Sequence, residues 1–307
     1  MSSQDHPAAS SRGFRLLAVH AHPDDESSKG SATMARYAAA GAGVMVATCT
    51  GGERGDILNQ AMSGNAHARR DLAGLRRIEM ANAVTALGVQ QRWLGFTDSG
   101  LPEGDPLPDL PFGCFALQPL ERAAAPLVKL VRDFRPHVIL SYDENGGYPH
   151  PDHIMAHRVA VEAYEAAGDP ERYPDMGEAW RVDKLYYDRA FNPERFRALH
   201  DALEEAGLQS PYAERIAQWL EADPEGNQPP APTHATTTQI DCGSFFAHRE
   251  QALLTHRTQV DPTGFFFAVS SDFQRRVWPW EDYSLISSRV ETSLPEDDFF
   301  AGIADVR

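Results

Sequence analysis

The chain has 307 residues, 42% of them apolar, enough to fill the core of one large α/β domain or two small ones. With 44 acidic against 28 basic side chains the formal charge is −16, which argues against a nucleic-acid surface or an anionic membrane face and leaves a small molecule as the expected partner. Three scattered cysteines, Cys49, Cys114 and Cys242, offer neither a disulfide framework nor a CxxC metal knuckle, and a reducing cytoplasm is the simplest setting.

Residues 1–13 are polar and Ser-rich, without the apolar stretch of a secretion signal, and read as a disordered tail. No apolar run elsewhere approaches the ~20 residues that span a bilayer. Residues 14–19 form a buried strand that Pro23 stops, so its C-terminal end presents His22, Asp24 and Asp25. A helical pattern from Ser27 or Ser28 ends at Gly41 and Gly43, and residues 44–49 make the next strand. This is a β-α-β unit, right-handed by default.

The Gly-rich loop Thr50-Gly51-Gly52-Glu53-Arg54-Gly55-Asp56 follows that second strand. A dinucleotide fingerprint would have to follow the first strand, where His-Pro-Asp-Asp stands instead, so nucleotide binding is not expected. A single long helix is predicted over 66–87, a strand over 89–96, a long proline-rich loop after Asp98, and a helix over 120–134. The strand at 136–142 then delivers a second polar cluster, Tyr148-Pro149-His150-Pro151-Asp152-His153, followed by a helix to Ala167. Beyond it a strand at 184–188, helices at 194–206 and 213–221, a surface loop at 223–234, a strand at 236–240 and a helix at 245–258 are expected. Residues 14–190 are read as the metal-binding core and 191–307 as an α+β extension that completes the same domain and its pocket.

A catalytic zinc site takes three protein ligands of imidazole nitrogen and carboxylate oxygen and leaves a position for water. His22, Asp25 and His153 supply such a set. Asp24 and Asp25 cannot easily both point at one metal, and the one left over would sit beside the water as a general base. His150 could protonate a leaving amine or stabilise an oxyanion, Asp152 could hold His150 in one tautomer and keep it cationic, and Tyr148 could reach the same oxyanion. The plainer alternative for Asp24 and Glu26 is a negative cap on the following helix. His20 shares strand parity with His22 and reads as its buried neighbour. His20-Ala21-His22-Pro23-Asp24 also fits the HxHxD start of a dinuclear metallo-β-lactamase-type site, but Asp25 stands where that pattern needs a histidine. His157, four residues after His153, lacks a HExxH glutamate and is given a supporting or surface role.

The AHPDDE motif, the GGERGD loop and GGYPHPDH at mid-chain resemble the LmbE-like superfamily of zinc deacetylases, relatives of the N-acetylglucosaminyl-phosphatidylinositol de-N-acetylases. The resemblance implies a Rossmann-like, mostly parallel sheet with helices on both faces. It also implies one zinc per chain on His22, Asp25 and His153, with Asp24 as base, His150 as acid or oxyanion stabiliser, and Tyr148 as a mobile residue near the substrate carbonyl. Iron(II) accepts the same ligands under reducing conditions. Arg76 and Asp98 fall where relatives hold the inositol or sugar. Lys29 matches the branch of the family that acts as an amidase on mycothiol S-conjugates, where the sister deacetylase branch has a small polar residue, and it would face the substrate. The implied substrate is a pseudodisaccharide thiol conjugate. His256 and Gln259 either line the pocket or end a surface helix.

Overall fold

In the computed structural model, which describes residues 11–222 and 233–304, the apolar runs become one seven-stranded sheet. Its strands are β1 (Arg15–His20), β2 (Gly43–Thr50), β3 (Gln90–Phe96), β4 (Val138–Ser141), β5 (Lys184–Asp188), β6 (Thr238–Asp241) and β7 (Trp280–Ser288). They lie in the order β3-β2-β1-β4-β5-β7-β6. The first five are parallel, with Leu17 beside Met45 on one side and beside Ile139 on the other. β7 runs antiparallel to both β5 and β6.

From β1 the chain winds outward to β2 and β3, then returns to β4 on the opposite side of β1. The strand order therefore reverses between β1 and β4, and in open α/β sheets the crevice beyond the carboxyl ends at such a point is where ligands bind. Both His-Pro-Asp clusters leave the sheet at that crevice. β1 is buried over five of its six residues, as a parallel strand covered on both faces must be. Leu17 and Val19 face helices α5 (Leu120–Phe134) and α6 (Pro151–Ala166) in one core layer. Leu16 and Ala18 pack in the other layer with Met34 and Tyr37 of helix α2 (Ser31–Ala39) and with Phe299 and Phe300.

The structure differs from the sequence expectation in three places. The helix expected at 66–87 is two, α3 (Ala66–Arg70) and α4 (Leu72–Leu87), because Asp71 leaves helical geometry and its carboxylate accepts from the backbone N of Gly74 at 2.8 Å, capping the second. A short helix α1 (Asp25–Ser28) precedes α2, separated from it by Gly30 at φ 73°. In the C-terminal part, α7 (Pro193–Glu205), α8 (Ala213–Ala222), α9 (Phe246–Thr255) and α10 (Ser271–Val277) accompany β6 and β7. β7, for which the sequence offered no assignment, sits between β5 and β6, so the C-terminal residues extend the core sheet. Most of the loop expected at 223–234, and residues 1–10 of the expected tail, lie outside the described residues. Among the described residues no helix is long and apolar enough to cross a membrane.

Candidate metal centre and active site

Pro23 turns the chain out of the sheet, and the next carboxylate folds back: Asp25 Oδ2 accepts from the backbone N of His22 at 2.9 Å. His22 Nε2 faces Asp152 Oδ2 at 3.3 Å and Asp98 Oδ1 at 3.5 Å, which leaves Nδ1 open, 3.7 Å from Asp25 Oδ2. His153 donates from Nδ1 to the carbonyl of Gly146 at 3.0 Å, and its other nitrogen, Nε2, is buried without a hydrogen-bond partner, 3.4 Å from Asp25 Oδ2. Ligand atoms of a tetrahedral zinc at about 2.1 Å stand roughly 3.4 Å apart. A buried, orphaned imidazole nitrogen beside a carboxylate oxygen and a second open imidazole is what a divalent cation requires, so His22, Asp25 and His153 fit one. Each imidazole is also held from behind through its other nitrogen.

The charge balance agrees. Burial lowers the His22 imidazole, but hydrogen bonds to Asp152 and Asp98 and the nearby Asp25 outweigh it and push His22 up to about 10. So much negative charge around one ring favours a cation there. His153 is lowered to about 3, chiefly by burial, and offers a neutral lone pair. Burial raises the Asp25 carboxyl, but the cationic Lys29 and His22 beside it help to outweigh that and it is held well below the carboxylate range.

His22, His150 and Asp152 form a second possible grouping. It is poorer, because Asp152 Oδ2 and Oδ1 already accept from the backbone N of Ser99 (2.8 Å) and Ala116 (3.1 Å), and His150 Nδ1 accepts from the backbone N of Asp152 at 3.1 Å. His20 and His157 stand apart: His20 Nδ1 lies 3.2 Å from the Tyr142 hydroxyl, and His157 Nδ1 lies 3.1 Å from the Tyr142 carbonyl.

Asp24 occupies the N-cap position of α1 at φ 111°, outside the usual range for a residue with a side chain, and its carboxylate makes no capping bond. That carboxylate points instead to Arg76, whose Nη2 lies 3.3 Å from Oδ2, and it stays 26% exposed while the ligands are buried. Arg76 also donates to the carbonyls of Gly52 (2.8 Å) and Pro23 (2.6 Å). Gly52, at φ 62°, is needed there, since a Cβ would lie 2.3 Å from Arg76 Nη1. Burial raises the Asp24 carboxyl, and Arg76 only partly offsets it.

Glu26 does the holding. Its Oε2 accepts from the backbone N of Asp24 at 2.9 Å, and its Oε1 lies 2.7 Å from His256 Nε2, with both side chains fully buried. The two are 230 residues apart, and nothing in the sequence pairs them. His256 is therefore neither a pocket lining nor a surface helix end. Gln259 Nε2 donates to the Asp56 carbonyl at 3.0 Å, tying the C-terminal part to the Gly-rich loop.

Other residues lie where the sequence reading did not put them. Lys29, expected to face the substrate, is 6% exposed and its Nζ donates to Asp25 Oδ1 at 2.6 Å. The Asp152 carboxylate bonds His22, and only its backbone N reaches His150. His150 is not kept cationic: burial, then His22, lowers it to about 4. With Nδ1 accepting, it is a neutral donor through Nε2. Arg76 and Asp98, assigned to the sugar, are buried, with Asp98 accepting from the backbone N of Arg54 (3.0 Å) and Gly100 (2.8 Å). Tyr148 is 39% exposed, its ring centroid 4.5 Å from that of His153, and burial together with Asp25 raises its phenol, so it stays protonated.

The sequence matches known proteins over almost its whole length. The family model described as GlcNAc-PI de-N-acetylase (PIG-L) covers residues 17–164. A mycothiol S-conjugate amidase of Streptomyces coelicolor is 54% identical over 294 residues, 95% of this chain and 98% of the relative. A 1D-myo-inositol 2-acetamido-2-deoxy-alpha-D-glucopyranoside deacetylase of Catenulispora acidiphila is 42% identical over 306 residues, 97% and 92% of the two chains. Among solved structures, the N,N'-diacetylchitobiose deacetylase of Pyrococcus horikoshii shares the fold, with a TM-score of 0.57 over 89% of this chain and 83% of that one at 17% identity. The chain belongs to the PIG-L (LmbE-like) family of amide-hydrolysing enzymes.

Proposed function

We propose that the protein is a zinc-dependent amidase that cleaves the amide joining cysteine to glucosamine in mycothiol S-conjugates, releasing an N-acetylcysteine S-conjugate and glucosaminyl-inositol in a detoxification step. The observation that carries the hydrolytic part is the pairing of three convergent ligand atoms, on His22, Asp25 and His153, with a raised, partly exposed carboxylate next to them, Asp24. The substrate is supported by the amidase relative, which is 54% identical where the deacetylase relative is 42% identical.

Bound by His22, Asp25 and His153, zinc would supply Lewis acidity toward the scissile carbonyl and acidify a water. The chain's own groups do the rest. Asp24 takes the proton from the attacking water, and burial, which raises its proton affinity, favours that transfer. The same proton is then available to the departing amine. Arg76 fixes the orientation of Asp24 through Oδ2. His150, a neutral donor through Nε2, and the protonated Tyr148 donate to the carbonyl oxygen as it gains charge. Lys29 and Asp152 sit behind the ligands and orient Asp25 and His22.

The rival substrate is the N-acetylglucosaminyl-inositol that the other relatives' names describe. Comparing kcat/KM for a mycothiol S-conjugate and for that precursor separates the two, with a preference of about tenfold or more for the S-conjugate expected. A preference for the precursor would make the enzyme a deacetylase with the same machinery.

A further inference from the structure

A cavity lies between α7, α9 and residues 264–267, with Ser28 and Gly30, the two neighbours of Lys29, in its wall. In a chain of charge −16 it gathers three arginines, Arg189, Arg195 and Arg249. Arg195 and Arg249 both donate from Nη2 to the same neutral oxygen, Gln274 Oε1, at 3.1 and 2.9 Å. The Nε atoms of Arg189 and Arg195 are buried and donate to nothing. None of the three arginines forms an ion pair among the described residues, although Arg249 is only 8% exposed.

The carboxylates around the cavity are engaged elsewhere. Glu281 accepts from the backbone N of Ala32 (3.3 Å) and Thr33 (2.9 Å) at the start of α2, and Asp282 Oδ2 accepts from Asn192 (2.9 Å) and Trp278 (3.0 Å). Asp188 accepts from the backbone N of Ala190 at 3.3 Å. Two neighbouring guanidinium groups share one amide oxygen, one of them buried; Glu281 and Glu250 act on Arg249, and Arg195 on Asp282, only through space, and no carboxylate among the described residues makes the direct ion-pair contact that normally accompanies such burial. At the mouth, Phe191, Phe265 and Phe266 are 41%, 42% and 39% exposed.

We propose that this cavity binds a carboxylate carrying an aromatic arm, with the carboxylate on Arg195 and Arg249 and the arm against the phenylalanines. The identity of the natural ligand rests on the reading under Proposed function. Amide hydrolysis there adds the elements of water across the C–N bond, so the cysteine carbonyl leaves as a carboxylate on an N-acetylcysteine whose sulfur keeps its substituent. With an aryl substituent that product has the chemistry of the cavity, and the amine product does not.

The test is calorimetric titration of the metal-loaded, full-length protein with S-benzyl-N-acetylcysteine and with its uncharged primary amide. The wild type is expected to bind the acid about tenfold or more tightly than the amide. Arg195→Gln and Arg249→Gln should each remove most of that preference, and Phe266→Ala should weaken both ligands by a similar factor. Should Arg249→Gln fail to fold, the more exposed Arg195→Gln carries the comparison. Equal binding of acid and amide by the wild type would overturn the proposal. So would a preference that survives in the arginine variants, since it would place the carboxylate on the metal. Binding needs no turnover, so a protein that keeps the charge preference but does not hydrolyse S-conjugates would sustain the site while removing the amidase reading.

Discussion

Replacing His256 with alanine removes one half of an ion pair in which both side chains are fully buried and 2.7 Å apart. Glu26 would then be a buried carboxylate without its cation, and breaking such a pair costs about 3–5 kcal/mol. The damage also reaches the chemistry, because Glu26 Oε2 holds the backbone N of Asp24 at 2.9 Å in a conformation, φ 111°, that the chain would otherwise leave. Displacing a catalytic base by about 1 Å lowers kcat on the order of a hundredfold. His256→Gln, which can still donate to Glu26, should recover part of both losses.

The pH dependence of this pair has a definite sign. Burial raises the Glu26 carboxyl, but His256 outweighs it and holds Glu26 below its ordinary 4.5, so this stabilisation is present above that value and fades as pH falls through the lowered one. Burial lowers the His256 imidazole, but Glu26 outweighs it and raises His256 above its ordinary 6.5, so this part is complete below that value and fades as pH rises through the raised one. Urea unfolding of wild type and His256→Ala should therefore show the widest gap between pH 4.5 and 6.5, narrowing on both sides. A gap below about 1 kcal/mol in that window, or one that does not change with pH, would refute this account of the pair.

Asp24→Asn should lower kcat by about 10²–10⁴-fold while metal content, read by elemental analysis, stays at the wild-type level; near-normal turnover with metal bound would exclude Asp24 as the base. Asp152→Asn weakens the support behind His22 and is expected to lower metal affinity about 10–100-fold in competition with a chelator. Were Asp152 the partner of His150 instead, the rate would fall with affinity intact. Gly146→Ala, at φ 75°, would put a Cβ 2.6 Å from that of His153 and 2.9 Å from the Tyr148 carbonyl, so metal retention should suffer along with stability. An alanine variant that binds metal normally would contradict the role given to the Gly146 carbonyl.

The β-α-β start, the parallel strands and the two polar clusters at the strand ends were legible because they are local: each apolar run ends in its own polar cluster, and period and punctuation mark both. β7 was not, since its Trp280–Ser288 sequence mixes acidic, aromatic and hydroxyl residues without the clean apolar run of a doubly covered strand, and its place between β5 and β6 is decided by long-range pairing. The break at Asp71 was missed because a mid-pattern aspartate can cap a new helix as readily as sit on a solvated face. Within the site, types and spacing single out His22, Asp25 and His153, which the structure brings within reach of one another, but spacing alone could not decide what stands behind what. Lys29 and Asp25 are four apart on α1 and its cap, a separation that favours the ion pair the structure shows, and that spacing was the available signal. The Glu26–His256 pair left no such mark.

The most direct test of the central claim is a titration of metal-depleted protein with Zn²⁺ while following amide hydrolysis of a mycothiol S-conjugate. One site built from His22, Asp25 and His153 predicts no turnover after metal removal and a linear recovery that breaks at one equivalent per chain, with no recovery in His153→Ala. Turnover that survives chelation, or a break at two equivalents, would contradict it.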